Sequence, residues 1–467
     1  MTLTALGVAE LAHALRGRET TARAIAEAHL AAIAAHDARL HAFVAVMADE
    51  ALAAAAAADR ALAAGTAGPL TGVPFVAKDI FAVRGHARGN GSPAFAGAAP
   101  EPADATAVAR LRAAGAVLLG VVHMHELAYG ATGVNPALGT PVNPWGADRM
   151  PGGSSRGSAV AVAARMAPVA LGTDTGASIR LPAALCGVVG LKPTYGRTSR
   201  AGVTPLAWTL DHVGPLVRSV EDAALVLHVL AGHDPADAAS ARLPVPDYAA
   251  ALARPPARLR LGVPRDFLRS VDAEVDAAFG AALDALRGAG ATVVDVALPS
   301  LPLSAPALGA AIMSEANAAL LPILGPRLAA VSLETRVRLE VGRTVSGAHY
   351  LAAQQLRTRL YEEARAVFAS VDLLALPVTP LAAPRIGETT VRVGDHEAGV
   401  EEALTRFTAP FNLTGLPALA LPAGFTRAGL PTSLQLVAPP FAEARLLAAG
   451  HAYQGVTDWH RRAPALG

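Results

Sequence analysis

The chain has 467 residues and a formal net charge of +1, long enough for two or three average domains or one large α/β enzyme and too balanced to point to nucleic acid or an anionic membrane. Hydrophobic residues make up 52% and charged residues 16%, which predicts a large core and excludes a disordered chain. The one cysteine, Cys186, rules out an internal disulfide, and its setting, LPAALCGVVGL, reads as a buried small side chain.

In chain order, residues 1–65 read as helices, including the run EALAAAAAADRALAAG, whose alanines favour helix by propensity alone. The start lacks a basic segment followed by an apolar run, so a cytoplasmic chain is expected. Over 66–220, the strand-like runs GVPFVA, AVLLGVV, PVALGT and CGVVGL alternate with glycine- and proline-rich loops and the helical GSAVAVAARM. Residues 220–365 are mostly helical, with a strand–helix–strand unit in RLRLGVP, VDAEVDAAFGAALDALRGAG and ATVVDVAL. The charge-free residues 296–313 carry Pro299, Pro302 and Pro306, which argues against a membrane helix. Over 366–467, VDLLALPV, PALALPAG and TSLQLVA return to strand patterning and are expected to complete the sheet begun near residue 70. With no internal repeat and no long linker, the prediction is a single α/β domain with helices covering a sheet.

Only two of the 39 basic residues are lysines, Lys78 and Lys192. Lys78 sits in the apolar run GVPFVAKDI, where a permanent charge is costly. A desolvated lysine can give up its proton and act as a base, which arginine cannot do. Lys78 is therefore a candidate general base, against a structural lysine bonded to loop carbonyls. Lys192, in GLKPTYG, reads as a loop anchor.

Residues 151–197 hold two glycine-serine loops. The first, PGGSSRGS, runs into a helix, for which Ser154 or Ser155 could be the N-cap; no lysine follows the glycines as a phosphate loop requires. The second, GTDTGASIR, follows a strand and contains both an Asp-Thr-Gly triplet and Ser178. An aspartic protease needs two such carboxylates, and the chain has one triplet, so Asp174 reads as a brace acting through Arg180 or backbone amides. Small residues at 176 and 177 let N–H groups near Ser178 approach a substrate oxygen, as an oxyanion hole demands. A serine nucleophile needs a base; no histidine is near in sequence, and Lys78 is available.

Six blocks in order, TGVPFVAKDI, GATGVNPALGTPVNPW, RMPGGSSRGSAVAVAA, LGTDTGASIRLPAALCGVVGLKPTYGR, LDHVGPLVRSVEDAA and FTAPFNLTGLPALALPAGF, span roughly 70–440. Together with the 24-residue separation of Ser154 and Ser178, they resemble the amidase signature family of serine hydrolases. The resemblance implies one α/β/α domain around a large mixed, twisted sheet. It implies Ser178 as nucleophile, Lys78 as base, Ser154 as the bridging serine after a cis peptide, and the N–H groups of Thr175, Gly176, Ala177 and Ser178 as the oxyanion hole. The implied reaction is hydrolysis of a linear carboxamide or related C–N bond (amide, carbamate or ureido) through an acyl-enzyme, without cofactor or metal. Three positions depart from the family's usual pattern: Arg156 and Ala177 in place of small residues or glycine, and Ile80 in place of asparagine.

Tyr129, Arg156 and Trp208 are the expected substrate-side residues, Arg156 alternatively turning to solvent. The pocket is expected to draw mainly on 300–360. His123, His125 and Glu126 resemble a metal constellation but lack helical ligand spacing. Asp211-His212 could stand in for half of a Ser-His-Asp triad. The expected partner is a small amide-type substrate, with a homodimer left open. The alternatives are a glutaminase subunit of a tRNA-dependent amidotransferase, which needs partner subunits, and a catalytically silent binding protein of the same fold.

Overall fold

The computed structural model describes residues 2–253 and 258–466. Its centre is one 11-stranded mixed sheet. The strands are β1 (Phe43–Val46), β2 (Pro74–Lys78), β3 (Val117–Val122), β4 (Val169–Asp174), β5 (Val189–Lys192), β6 (His212–Val217), β7 (Arg260–Val263), β8 (Thr292–Asp295), β9 (Leu373–Leu376), β10 (Thr390–Val393), β11 (His396–Gly399), β12 (Ala418–Phe425) and β13 (Pro431–Val437). The sheet order is β1-β3-β2-β4-β6-β5-β12-β13-β9-β7-β8, and β10 and β11 form a separate hairpin.

Strands β2, β3, β4, β5, β6, β9 and β13 are buried along their whole length, the pattern of a sheet covered on both faces. Their Val, Leu and Ala side chains explain why: each fully buried Val or Leu contributes about 1.5–3 kcal/mol relative to exposure. The edge strands differ. Three of the four residues of β1 are exposed, and β8 has no fully buried residue. Ordinary helix chemistry fixes the alanine helix Ala48–Ala64, with Asp49 and Glu50 in its first turn and left-handed Gly65 at its end.

The strand–helix–strand unit is β7, the Ala273–Gly288 helix and β8, with β7 and β8 parallel. As expected, β12 and β13 return to the sheet, β12 against β5 and β13 against β9. The N-terminal region is not purely helical: β1 closes one edge by pairing antiparallel with β3. Elements that the sequence pattern does not single out include the central strand β6, the β10–β11 hairpin and the short helix Arg180–Cys186. The apolar stretch Leu301–Ala330 is, by length and composition, able to cross a membrane. Here its helix, Ser304–Leu324, buries Ala311, Ala316, Leu320 and Leu324 against the rest of the molecule.

The position of the site follows from the strand order. From β2 the chain passes to β3 on one side, then returns to β4 on the other, and β2 is parallel to both. Such a reversal leaves a crevice beyond the carboxyl ends of the two strands, where ligands of open α/β sheets bind. Lys78 ends β2 and Asp174 ends β4.

Candidate active site

Lys78 is fully buried, and its Nζ lies 2.7 Å from Ser154 Oγ and 2.7 Å from Thr173 Oγ1. The parallel register, Ala77 beside Leu171, sets Lys78 level with the end of β4 and so with Thr173. Burial pushes the lysine down from 10.5 to about 7, opposed by the more distant charges of Asp211 and Asp174. No carboxylate forms an ion pair with it among the described residues. At neutral pH a large share of Lys78 is therefore uncharged and able to accept a proton.

Ser154 follows a cis Gly153–Ser154 peptide. The two glycine-serine loops are stitched together: the Ser155 N–H donates to the Ser178 carbonyl at 3.2 Å, and Ser155 Oγ receives the Thr173 N–H at 3.2 Å. Ser155 thus stands at the N-cap of the Arg156–Ala163 helix without capping it through its side chain. A side chain at Gly153 would meet Gly133 N at 2.8 Å and Gly130 O at 3.0 Å, so this approach of two backbones requires glycine.

Asp174 braces the second loop. Its Oδ2 accepts the N–H groups of Ile179 and Arg180 and Arg180 Nε, while Oδ1 accepts Arg180 Nη2 at 3.0 Å and Asn412 Nδ2 at 2.8 Å. Burial alone would raise this carboxyl, but Arg180, Lys192 and Asn412 hold it well below the usual carboxylate range. A permanently ionised, fully bonded carboxylate is no shared-proton acid. The N–H groups of Thr175, Gly176, Ala177 and Ser178, between the end of β4 and the amides held by Asp174, have no protein acceptor among the described residues. Ala177 keeps φ out of the left-handed region, so alanine is accommodated there.

Thr175, Gly176, Ala177 and Ser178 line a cleft of about 460 Å3 together with Tyr129, Leu206, Leu308, Ile312, Met313 and Arg338. Its far wall is the Ser304–Leu324 helix, inside the expected 300–360, and Glu401, Glu402 and Thr405 add a rim from outside it. The Tyr129 hydroxyl is buried without a partner, and its ring lies under the Arg338 guanidinium at 5.7 Å. Arg338 is itself tied to Glu401 at 3.0 Å and Glu334 at 2.7 Å.

Two expected substrate-side residues lie elsewhere. Arg156 reaches neither the cleft nor solvent: it is fully buried, donating to the carbonyls of Gly133 at 2.6 Å and Gly139 at 3.1 Å. It staples the 133–139 loop, because a buried guanidinium must find acceptors. Trp208 is 58% exposed and borders a separate cavity of about 200 Å3, with Thr173, Arg200, Asp211 and His212 in its wall. Only Tyr129 of the three lines the cleft.

His212 is not placed as a base for Ser178. Its Nδ1 lies 2.6 Å from the Leu210 carbonyl and its Nε2 3.1 Å from Lys192 Nζ, so both ring nitrogens are engaged. Lys192 also donates to the Leu416 carbonyl at 2.6 Å, the anchoring role expected of it. Glu126 is taken up by the Ser92 hydroxyl at 2.6 Å and by Ser332, and no group of three or more His, Cys, Asp or Glu among the described residues could hold a metal ion. Thr173, the second contact of Lys78, does not stand out in the sequence. Its signal is the parallel pairing of β2 with β4, which a single sequence does not display.

The amidase family model matches residues 24–447. A glutamyl-tRNA(Gln) amidotransferase subunit from Roseiflexus sp. is 42% identical, covering 99% of this chain and 98% of that protein, and its counterpart from Halorhodospira halophila is 44% identical over 98% of each. Among solved structures, a 6-aminohexanoate cyclic dimer hydrolase superposes with a TM-score of 0.90 at 29% identity over 99% of both chains. The peptide amidase of Stenotrophomonas maltophilia gives 0.86 at 33% over 98% of both. The corresponding amidotransferase subunit from Thermotoga maritima gives 0.76 at 30%, over 91% of this chain and 89% of that one. The chain belongs to the amidase signature family, whose enzymes hydrolyse amide C–N bonds.

Proposed function

We infer that the chain is a free-standing amidase that cleaves a linear carboxamide or related C–N bond with an apolar acyl group through a serine acyl-enzyme. The observation that carries the chemistry is a buried, carboxylate-free Lys78 whose Nζ is 2.7 Å from Ser154 Oγ, beside a loop that offers four N–H groups without acceptors. Neutral Lys78 takes a proton from Ser154 as Ser154 takes one from Ser178, and Ser178 attacks the carbonyl carbon. The N–H groups of Thr175 to Ser178 stabilise the oxyanion of the tetrahedral intermediate. Reversal of the relay protonates the leaving nitrogen, and water then hydrolyses the ester.

The cleft supports the free-standing reading. Its far wall is apolar, and the one cation lining it among the described residues, Arg338, is neutralised by Glu401 and Glu334. Free glutamine carries a carboxylate, which needs an unspent cation to be desolvated, and Glu402 on the rim offers a counter-charge to its ammonium alone. The fold agrees: at nearly equal identity, the cyclic dimer hydrolase superposes better than the Thermotoga amidotransferase chain, with TM-scores of 0.90 and 0.76. The glutaminase reading is favoured instead by the curated relatives, which carry the amidotransferase name at 41–44% identity.

The test is hydrolysis by the isolated chain of a panel of apolar acyl amides, carbamates, ureido acids and free glutamine. Turnover of apolar amides without any partner and rejection of glutamine is expected. Glutamine preference, with activity that depends on added amidotransferase subunits, would reverse the order of the two readings.

A further inference from the structure

We propose that Asp211 is a positioning residue for acyl transfer, fixing the Thr175 end of the oxyanion loop to the wall of the substrate cleft. The inference rests on the assignment of Ser178 and its neighbouring N–H groups given above. Asp211 is buried between two cavities: Thr175 and Leu206 face the cleft, and Asp211 itself borders the smaller cavity under Trp208. One carboxylate oxygen accepts the Thr175 hydroxyl at 2.6 Å. The other accepts the N–H groups of Leu206 at 2.9 Å and Ala207 at 3.1 Å. A single side chain thus bonds both the loop that presents the oxyanion donors and the segment that faces the substrate.

The link continues outward. Thr209, in the same turn, gives its N–H and hydroxyl to Glu315 at 2.8 and 2.7 Å, and Glu315 belongs to the helix that forms the far cleft wall. The Tyr350 hydroxyl donates to the same carboxylate at 3.1 Å, and Arg357 holds Thr209 at 2.9 Å. A continuous set of charge-assisted hydrogen bonds therefore runs from Thr175 through Asp211, the 206–209 turn and Glu315 to the helical wall. Oxyanion donors act by being fixed before charge develops, so the anchor of their loop bears on turnover more than on binding.

Asparagine at 211 keeps the size and an acceptor for Thr175, but its NH2 cannot accept the two amides. Steady-state kinetics on one amide substrate, with Asp211→Asn, Thr175→Val, Thr175→Ser and the double variant Asp211→Asn/Thr175→Val, test the proposal. The expected result is a loss of about 10–100-fold in kcat for Asp211→Asn and for Thr175→Val, with KM changed far less. The double variant should lose no more than the worse single one, since each severs the same tie between loop and cleft wall, Asn at its 206–207 end and Val at its Thr175 end. Thr175→Ser, which retains the hydroxyl, should lose much less than Thr175→Val. Unchanged kcat, or losses that simply multiply, would overturn the role. If Asp211→Asn does not fold, the threonine pair decides alone, equal losses for serine and valine counting against it. Ser178→Ala is assayed in parallel: if it retains full activity, the serine mechanism fails rather than the role of Asp211.

Discussion

Lys78 and Asp174 are both fully buried ionisable groups near the ends of adjacent parallel strands, yet they are set to opposite purposes. Lys78 has two hydroxyls for partners and is pushed down to about 7 by desolvation. Asp174 is held ionised by Arg180 and Asn412. A base that must be neutral predicts a rate that rises with pH through about 7 and levels above it. The measurement is kcat/KM against pH, and a profile flat down to about pH 5 would contradict a lysine base. Asp174→Asn leaves Arg180 buried with a neutral partner, and removing one member of a buried ion pair costs about 3–5 kcal/mol. A large fall in the thermal midpoint or loss of soluble protein is therefore expected. A variant as stable as the parent would show that the remaining Arg180 partners, Gln435, the Thr408 carbonyl and Asn412 Oδ1, suffice.

At the scale of elements, the candidate site lies where β2 and β4 end, and the far wall of its cleft comes from distant sequence. Gly309 lines the cleft, and a Cβ placed there meets nothing within 4 Å. Gly309→Leu should therefore fill the cleft without disturbing the helix behind it. The loss in kcat/KM should grow with acyl length, reaching about 10-fold or more for amides that need the filled volume. Equal losses for short and long acyl groups would place the acyl chain elsewhere. This division explains what could be read from sequence. Lys78 and Ser178 are candidates on short local patterns with a chemical reason for each residue type, whereas Ser154 reads locally only as a helix cap and its proposed role comes from the family resemblance. Leu308, Ile312 and Arg338 were not legible, since a helix shows its apolar positions but not which cavity they face. Arg156 misled because arginine is usually solvated; only the 133–139 carbonyls, brought close by the fold, explain its burial. Trp208 was drawn toward the substrate by its size, whereas β6 and the 206–211 turn set it over the second cavity.

For the whole molecule, the sheet gathers strands from residues 43 to 437, with β5 of the 66–220 segment next to β12 of the C-terminal one. Alternation of short apolar runs with helices made the α/β class readable, while the strand order was not, because pairing between distant strands leaves no periodic trace. The single-domain organisation proposed from sequence makes a physical prediction here. Fluorescence from Trp145, Trp208 and Trp459 and far-UV circular dichroism should report one shared unfolding transition. Two separated transitions would instead divide the chain into independently stable parts.

The most direct test of the account is covalent labelling with a fluorophosphonate, read by intact mass and peptide mapping, on the native chain and on Lys78→Ala. One adduct on Ser178 that disappears in the folded Lys78→Ala variant is the predicted result. Labelling that persists without Lys78, or that falls on another residue, would contradict the lysine-activated serine. A folded native chain that takes no label would point to a silent site or to one that the probe does not reach.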